Sequence, residues 1–78
     1  MSFGPNPTTG KFGIQLSSQE IDDKPFNVKI FDLCGRKIFE SIETGYHFEI
    51  DISSSPKGLY TLQVADSEKN LFKKIVLN

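Results

Sequence analysis

Apolar and polar residues alternate along most of this chain, which is the pattern of strands that bury one face. In residues 46–52, Tyr46, Phe48, Ile50 and Ile52 fall on one face, and His47 lies on the opposite, polar face. The same pattern predicts strands over residues 12–16, 26–33, 37–42, 59–64 and 71–77, with a seventh, short strand around residues 18–21.

The strand predicted over residues 26–33 contains a change of phase. Its first apolar residues, Phe26, Val28 and Ile30, share one face, whereas Phe31 and Leu33 fall on the other. Such a change indicates either burial on both faces or a β-bulge.

Polar segments that contain glycine or asparagine separate the predicted strands. Residues 32–36 place Gly35 where a tight hairpin requires a positive φ angle. Residues 42–45 and 66–70 are further reversals, and the longer segment 53–58 suits a crossover between two sheets. Short strands with turns roughly every 8–12 residues predict an antiparallel β-sandwich, as one domain over residues 1–78.

The composition agrees with an all-β fold and excludes several partners. The 78 residues include a single alanine, and Phe and Ile are abundant, as strands favour. The formal net charge of −1 argues against a nucleic-acid partner, because neutralising phosphates requires a basic face. No apolar run approaches the roughly 18 residues of a membrane-spanning helix, and no signal peptide is predicted.

No catalytic, metal or cofactor site can be assembled from these residues. His47 is best explained as a solvated residue, since no nucleophile or orienting group converges on it. Cys34 is the single cysteine, and without a protease-type signature it is best explained as a small apolar residue that either packs or has no particular role. The acidic residues lack the spacing of a calcium loop. We therefore expect no enzymatic activity and no cofactor.

The last predicted strand carries the consecutive lysines Lys73 and Lys74, followed by Ile75, Val76 and Leu77. One interpretation is an edge strand that lysine protects against aggregation. The other is a recognition segment, whose exposed edge and charges are read by a partner. An exposed edge also allows self-association of two copies.

Four segments in order carry a family resemblance: Pro-Asn-Pro-Thr-Thr-Gly-Lys-Phe (5–12), Val-Lys-Ile-Phe-Asp-Leu-Cys-Gly-Arg-Lys (28–37), Ile-Ser-Ser-Ser-Pro-Lys-Gly-Leu-Tyr (52–60) and Lys-Lys-Ile-Val-Leu (73–77). Together they resemble the type A C-terminal sorting domain of proteins exported by the bacterial type IX, or Por, secretion system. The resemblance covers residues 5–78 and implies a seven-stranded, immunoglobulin-like β-sandwich that is a signal and not an enzyme.

The resemblance also implies partners and a route. The domain would be part of a larger secreted protein and would direct an N-terminal cargo domain from the periplasm through outer-membrane type IX secretion components. A sortase-like cysteine peptidase would then cleave upstream of the domain and attach the cargo to the cell surface.

The residues that match the family's motifs are Pro5, Asn6, Pro7, Gly10, Asp32, Gly35, Arg36, Gly58, Tyr60, Lys73, Lys74, Ile75, Val76 and Leu77. The resemblance implies that the last five are read by the translocon, whereas turn chemistry alone explains the others. We expect the ring of Tyr60 to point inward and its hydroxyl outward.

A surface-binding module for carbohydrate or protein is the alternative, because a β-sandwich does not by itself determine function. Such a module predicts an exposed aromatic platform. Phe12, Tyr46, Phe48 and Tyr60 share strand faces with aliphatic residues, which favours packing in the core and so the sorting interpretation.

Overall fold

The computed structural model describes residues 2–4, 9–17 and 25–78, which form strands and turns and contain no helix. The strands are β1 (Ser2–Gly4), β2 (Lys11–Gln15), β3 (Phe26–Phe31), β4 (Lys37–Glu43), β5 (His47–Asp51), β6 (Gly58–Ala65) and β7 (Asn70–Leu77). They form two antiparallel sheets, with strand orders β1-β2-β5 and β4-β3-β6-β7. The prediction of an antiparallel all-β fold is confirmed.

The longer predicted strands coincide with β2 to β7, with ends that agree to within two residues. β1 was not predicted, because Ser2–Gly4 is too short to display an alternating pattern; it pairs with β2. The strand predicted around residues 18–21, by contrast, lies outside the described residues. In the described ranges, no helix has the length and apolar character needed to cross a membrane.

One hydrophobic core takes side chains from both sheets. The three-stranded sheet contributes residues such as Ile14 and Ile50, and the four-stranded sheet contributes Ile30 and Leu62. The rings of Phe26 and Phe48 meet between the sheets, with centroids 5.6 Å apart and planes tilted by 50°, a favourable aromatic geometry. Burying each large aliphatic side chain stabilises the fold by about 1.5–3 kcal/mol before entropy is counted.

The change of phase in residues 26–33 coincides with a register shift between β3 and β4. Ile30 pairs with Phe39 and Phe31 pairs with Lys37, so the register of β3 against β4 shifts at this point. Leu33 lies beyond the end of β3 and is 75% exposed, because the chain turns at Asp32 before the second phase can continue. A register irregularity is therefore confirmed at the predicted point, but the extra residue is Ile38 of β4, while β3 stays in register with β6 through Phe31.

Tyr46 is a second departure from the alternating pattern. It precedes β5 and is 40% exposed, although Phe48, Ile50 and Ile52 are buried as predicted. Gly45 has a φ of 85°, so the chain is still turning when it reaches Tyr46. Its carbonyl accepts a hydrogen bond from the backbone N–H of Leu16, at 2.7 Å.

Candidate functional site

Of the motif residues, Pro5, Asn6 and Pro7 lie outside the described residues. The others fall at four places in the fold: Gly10 before β2, the turn between β3 and β4, the start of β6, and β7. Three of these places lie at one end of the four-stranded sheet, whereas Gly10 belongs to the other sheet.

Gly10 is held against the crossover that follows β5. Its φ is +131°, and a Cβ atom at this position would lie 2.5 Å from the Cα atom of Ser53. Its carbonyl accepts a hydrogen bond from the backbone N–H of Ile52, at 2.8 Å. Gly10 therefore has a structural role, because any side chain would collide with the backbone of the crossover.

The turn between β3 and β4 is tied together by Asp32. Its carboxylate accepts hydrogen bonds from the backbone N–H of Cys34 and of Arg36, both at 2.9 Å, and from Nε of Arg36 at 3.0 Å. Gly35, with a φ of 84°, donates its N–H to the Asp32 carbonyl at 3.0 Å. The sequence thus forms a turn closed by a glycine in the left-handed region, as predicted.

The same contacts shift the titration of Asp32. The backbone N–H of Arg36 is the largest cause, and the Arg36 guanidinium adds to it; together they hold the pKa of Asp32 below its usual value. The carboxylate therefore stays ionised at neutral pH, with its oxygens engaged inside the turn.

Tyr60 anchors the segment that leads into β6. Its ring is buried, and its hydroxyl donates a hydrogen bond to the carbonyl of Pro56, four residues upstream. The hydroxyl, which we expected to point outward, is thus hydrogen-bonded to the crossover. The carbonyl of Pro56 can accept this bond because Pro56 lies outside the strands. This bond fixes residues 56–60 against the core.

β7 is an edge strand of the four-stranded sheet and pairs with β6 along its whole length, from Ala65↔Asn70 to Gly58↔Leu77. Within the described part of the chain, no strand pairs with its other edge. The edge position expected for residues 73–77 is confirmed, because the described strands flank β7 on one side only.

The two faces of β7 differ in how deeply their side chains are buried. Ile75 and Leu77 are buried in the core, whereas Lys74 and Val76 are exposed on the outer face. Lys74 Nζ donates a hydrogen bond to Thr61 Oγ1, at 3.1 Å. Lys73 stands on the core-facing side, opposite buried Leu62, but is itself exposed. Two of the five residues in segment 73–77 are therefore structural, and the accessible ones are Lys73, Lys74 and Val76.

The turn after β3 and the start of β6 together form a groove of about 240 Å³ at the end of the four-stranded sheet. We call it the hairpin groove; its lining residues are Asp32, Leu33, Cys34, Arg36, Ile38, Pro56, Lys57, Gly58, Leu59 and Tyr60. Because Leu59 pairs with Val76, the end of β7 lies next to this groove. Segments far apart in the sequence therefore converge at one end of the molecule.

Comparison with known families decides the classification. The family described as "Secretion system C-terminal sorting domain" matches residues 3–78. The chain belongs to this family. A search of curated proteins found none that matches the chain. The family serves type IX secretion, so this β-rich domain is a sorting signal for export through the outer membrane to the cell surface or the medium.

Two further features of this sorting domain are its possible metal ligands and its cysteine. Among the described residues, no group of three or more His, Cys, Asp or Glu side chains is arranged to hold a metal ion. Cys34 is a free thiol and is exposed, so of its two expected explanations, packing is wrong and a residue without a particular role remains. It occupies the turn after β3, where side chains point away from the core.

Sequence reasoning missed the surface residues of the hairpin groove. Leu33 and Leu59 were assigned to strand faces, and Lys57 was assigned to a crossover without further role. One signal was available for Leu33, because an apolar side chain is unusual in a tight turn that favours Asp, Asn, Ser and Gly. No local sequence pattern predicts that Lys57 lies beside that turn.

Proposed function

We propose that this sorting domain is a non-catalytic signal within a larger secreted protein. It directs an N-terminal cargo domain from the periplasm through outer-membrane type IX secretion components. A sortase-like cysteine peptidase then cleaves upstream of the domain and attaches the cargo to the cell surface. The domain is recognised as a folded unit, through β7 and the segments that border its end.

The observation that carries this proposal is the position of β7. It is an edge strand whose buried residues Ile75 and Leu77 hold it in the core, while Lys73 and Lys74 are accessible. The two accessible lysines can attract an acidic partner to this strand and give the contact specificity. Recognition through this strand thus needs no unfolding of the domain.

We also propose that the two sheets form an immunoglobulin-like sandwich. Two features support this. The chain crosses between the sheets from β5 to β6, so that strands distant in sequence become neighbours. The Tyr60 hydroxyl bonds to a backbone carbonyl just upstream of β6, as does the tyrosine of the corner that typifies such sandwiches.

Export of a reporter tests the sorting function. The full chain is fused to the carboxy end of a reporter with an ordinary signal peptide, in a host with a type IX system. Removing residues 73–78 would also remove core residues Ile75 and Leu77, so single charge reversals are the sharper test. Lys73→Glu and Lys74→Glu are each expected to lower the exported fraction by about fivefold or more, because rim charges guide association.

Lys69→Glu is the matched control, since it makes the same charge change in the turn before β7 and is expected to be exported normally. Circular dichroism and thermal melting verify that each variant is folded. If the folded wild-type fusion stays in the periplasm, the sorting function is wrong for this chain. If it is exported and all three variants follow it equally, recognition through the lysines of β7 is wrong.

The surface-binding alternative lacks its expected platform in the described residues. The large aromatic side chains exposed there are Tyr46 and Phe72. Tyr46 precedes β5 of the three-stranded sheet, whereas Phe72 lies on β7 of the four-stranded sheet. A flat ligand such as a sugar ring would therefore meet one aromatic side chain and not a continuous surface.

A further inference from the structure

The hairpin groove has two walls that are fixed by internal hydrogen bonds. The Asp32 carboxylate closes one wall by accepting three hydrogen bonds within residues 32–36. The bond from the Tyr60 hydroxyl to the Pro56 carbonyl fixes the other wall. A site that is formed before its ligand arrives loses less conformational entropy on binding.

Exposed apolar side chains are concentrated at this groove. Leu33 and Leu59 line it, and Val76 is paired with Leu59 in the adjoining strand. These are three of the six large hydrophobic side chains exposed in the described residues. Isolated exposed apolar residues are ordinary, but neighbouring ones mark a contact surface.

The polar lining of the groove carries an excess of available positive charge. Asp32 is its acidic residue, but the carboxylate is occupied by the turn. Arg36 binds Asp32 through Nε, which leaves its terminal guanidinium nitrogens available. Lys57 has no hydrogen-bond or ion-pair partner among the described residues. Two cationic side chains therefore line the groove, and the guanidinium of an arginine is well suited to binding a carboxylate.

We propose that the hairpin groove binds an extended acidic segment of a protein partner. An apolar side chain of that segment lies against Leu33 and Leu59, and a neighbouring carboxylate contacts Arg36 and Lys57. The inference rests on the proposed function, because the groove borders the end of β7 and extends the same recognition surface. A membrane is the weaker occupant, since anionic lipid surfaces are bound by clusters of about four to eight basic residues.

The export assay above, with matched variants, tests this surface. Leu33→Ser is compared with Ile42→Ser, because the two side chains are 75% and 71% exposed and Ile42 lies outside the groove. Lys57→Glu is compared with Lys69→Glu. The groove variants are expected to lower the exported fraction by about tenfold, the effect of losing one apolar or ionic hot-spot contact. Lys57→Arg is expected to retain export.

Photo-crosslinking identifies the chemistry of the occupant. A photoreactive amino acid is placed at position 33 or, as the control, at position 42, in the full chain during export. The adduct formed at position 33 is digested and the crosslinked peptide is sequenced by mass spectrometry. We expect a peptide of a type IX component with several Asp or Glu residues, and no such adduct from position 42.

Several outcomes would overturn the inference while leaving the sorting function intact. One such outcome is that the wild-type fusion is exported and the separate variants Leu33→Ser and Lys57→Glu are exported equally well. Others are a crosslinked peptide without acidic residues, or an adduct with lipid. Binding to phosphatidylglycerol vesicles that Lys57→Glu abolishes would assign the groove to a membrane. A wild-type fusion that is not exported contradicts the sorting function first and removes the basis for the groove's role.

Discussion

Gly10 is the residue whose identity is most tightly fixed by its surroundings. Its backbone combines a φ of +131° with a contact in which a Cβ atom would lie 2.5 Å from the Cα and Cβ atoms of Ser53. The first condition disfavours side chains through local strain. The second excludes them sterically, because the crossover backbone would have to move and the hydrogen bond that the Ile52 N–H donates to the Gly10 carbonyl would be strained.

Gly10→Ala should therefore destabilise the domain more than an ordinary glycine substitution does. We expect a loss of about 2–4 kcal/mol, since strain and overlap add. Gly45→Ala is the control, because Gly45 has a φ of +85° with nothing within 4 Å of the added Cβ, and local strain alone costs about 1–2 kcal/mol. Urea unfolding of both variants measures the difference. Equal losses would mean that the Ser53 contact relaxes freely.

Asp32 offers a test of which hydrogen bond shapes the turn. The hydrogen bond from the backbone N–H of Arg36 is the largest single cause that lowers the pKa of Asp32, and the Arg36 side chain adds a hydrogen bond and its charge. Arg36→Gln should therefore keep the pKa of Asp32 below its usual value, although less far below it. Side-chain NMR titration measures this directly. A pKa that returns fully to the usual value in Arg36→Gln would show that the guanidinium is the main cause.

The sign of the pH dependence follows from the same shift. The pKa of Asp32 is lower in the folded chain than its ordinary value of 3.8. Its contribution to stability is thus fully present above that value, and it is lost as the pH falls through the lower, folded pKa. Asp51 and Glu40 shift in the same direction, because of hydrogen bonds from Ser53 and Lys37 respectively. We therefore expect the contacts of these three carboxylates to weaken in acid and to persist at neutral pH.

At the scale of elements, alternation was enough to predict most strands and their buried faces. Phe48, Ile50 and Ile52 are buried in the predicted phase, because one sheet face must leave water whatever the topology. The predicted buried position of Tyr46 is wrong, because the turn at Gly45 overlaps the start of the alternating pattern. β1 could not be predicted, since three residues carry no period and its pairing with β2 is a tertiary event.

The candidate site was harder to predict because it depends on which strands become neighbours. β3 pairs with β6 through contacts such as Ile30↔Leu62, and this long-range pairing brings Leu33 and Lys57 to one groove. Periodicity assigns faces but not partners. The resemblance named Asp32, Arg36 and Tyr60 from their turns, yet it gave no reason to expect Lys57 or Leu59 beside them.

β7 combines two demands within a single element. Burial of Ile75 and Leu77 holds the strand in the core, so a deletion of this segment would change folding and recognition together. The side chains of this strand that a partner could contact are the exposed ones, Lys73, Lys74 and Val76. This division explains why point substitutions, and not truncations, separate the structural role of the strand from its proposed role in sorting.

For the whole molecule, the position of β7 at the edge of its sheet creates a risk of pairing with a second copy. Lys73 points toward the core-facing side of this edge strand while remaining exposed. An inward-pointing charge on an edge strand prevents a second sheet from docking, because the charge would be trapped between apolar surfaces. The same edge stays available to a partner that supplies an acidic group for Lys73.

Lys73→Val should therefore convert the domain from a mainly monomeric state to one that self-associates. Lys74→Val is the control, since it removes the same charge from the same strand on the outer face, where Lys74 contacts Thr61. Analytical ultracentrifugation over a hundredfold range of concentration distinguishes the two variants, with about tenfold tighter association expected for Lys73→Val. If both variants associate equally, total charge controls self-association. If wild type already dimerises in dilute solution, Lys73 does not protect the edge, and recognition would have to begin by separating two paired copies.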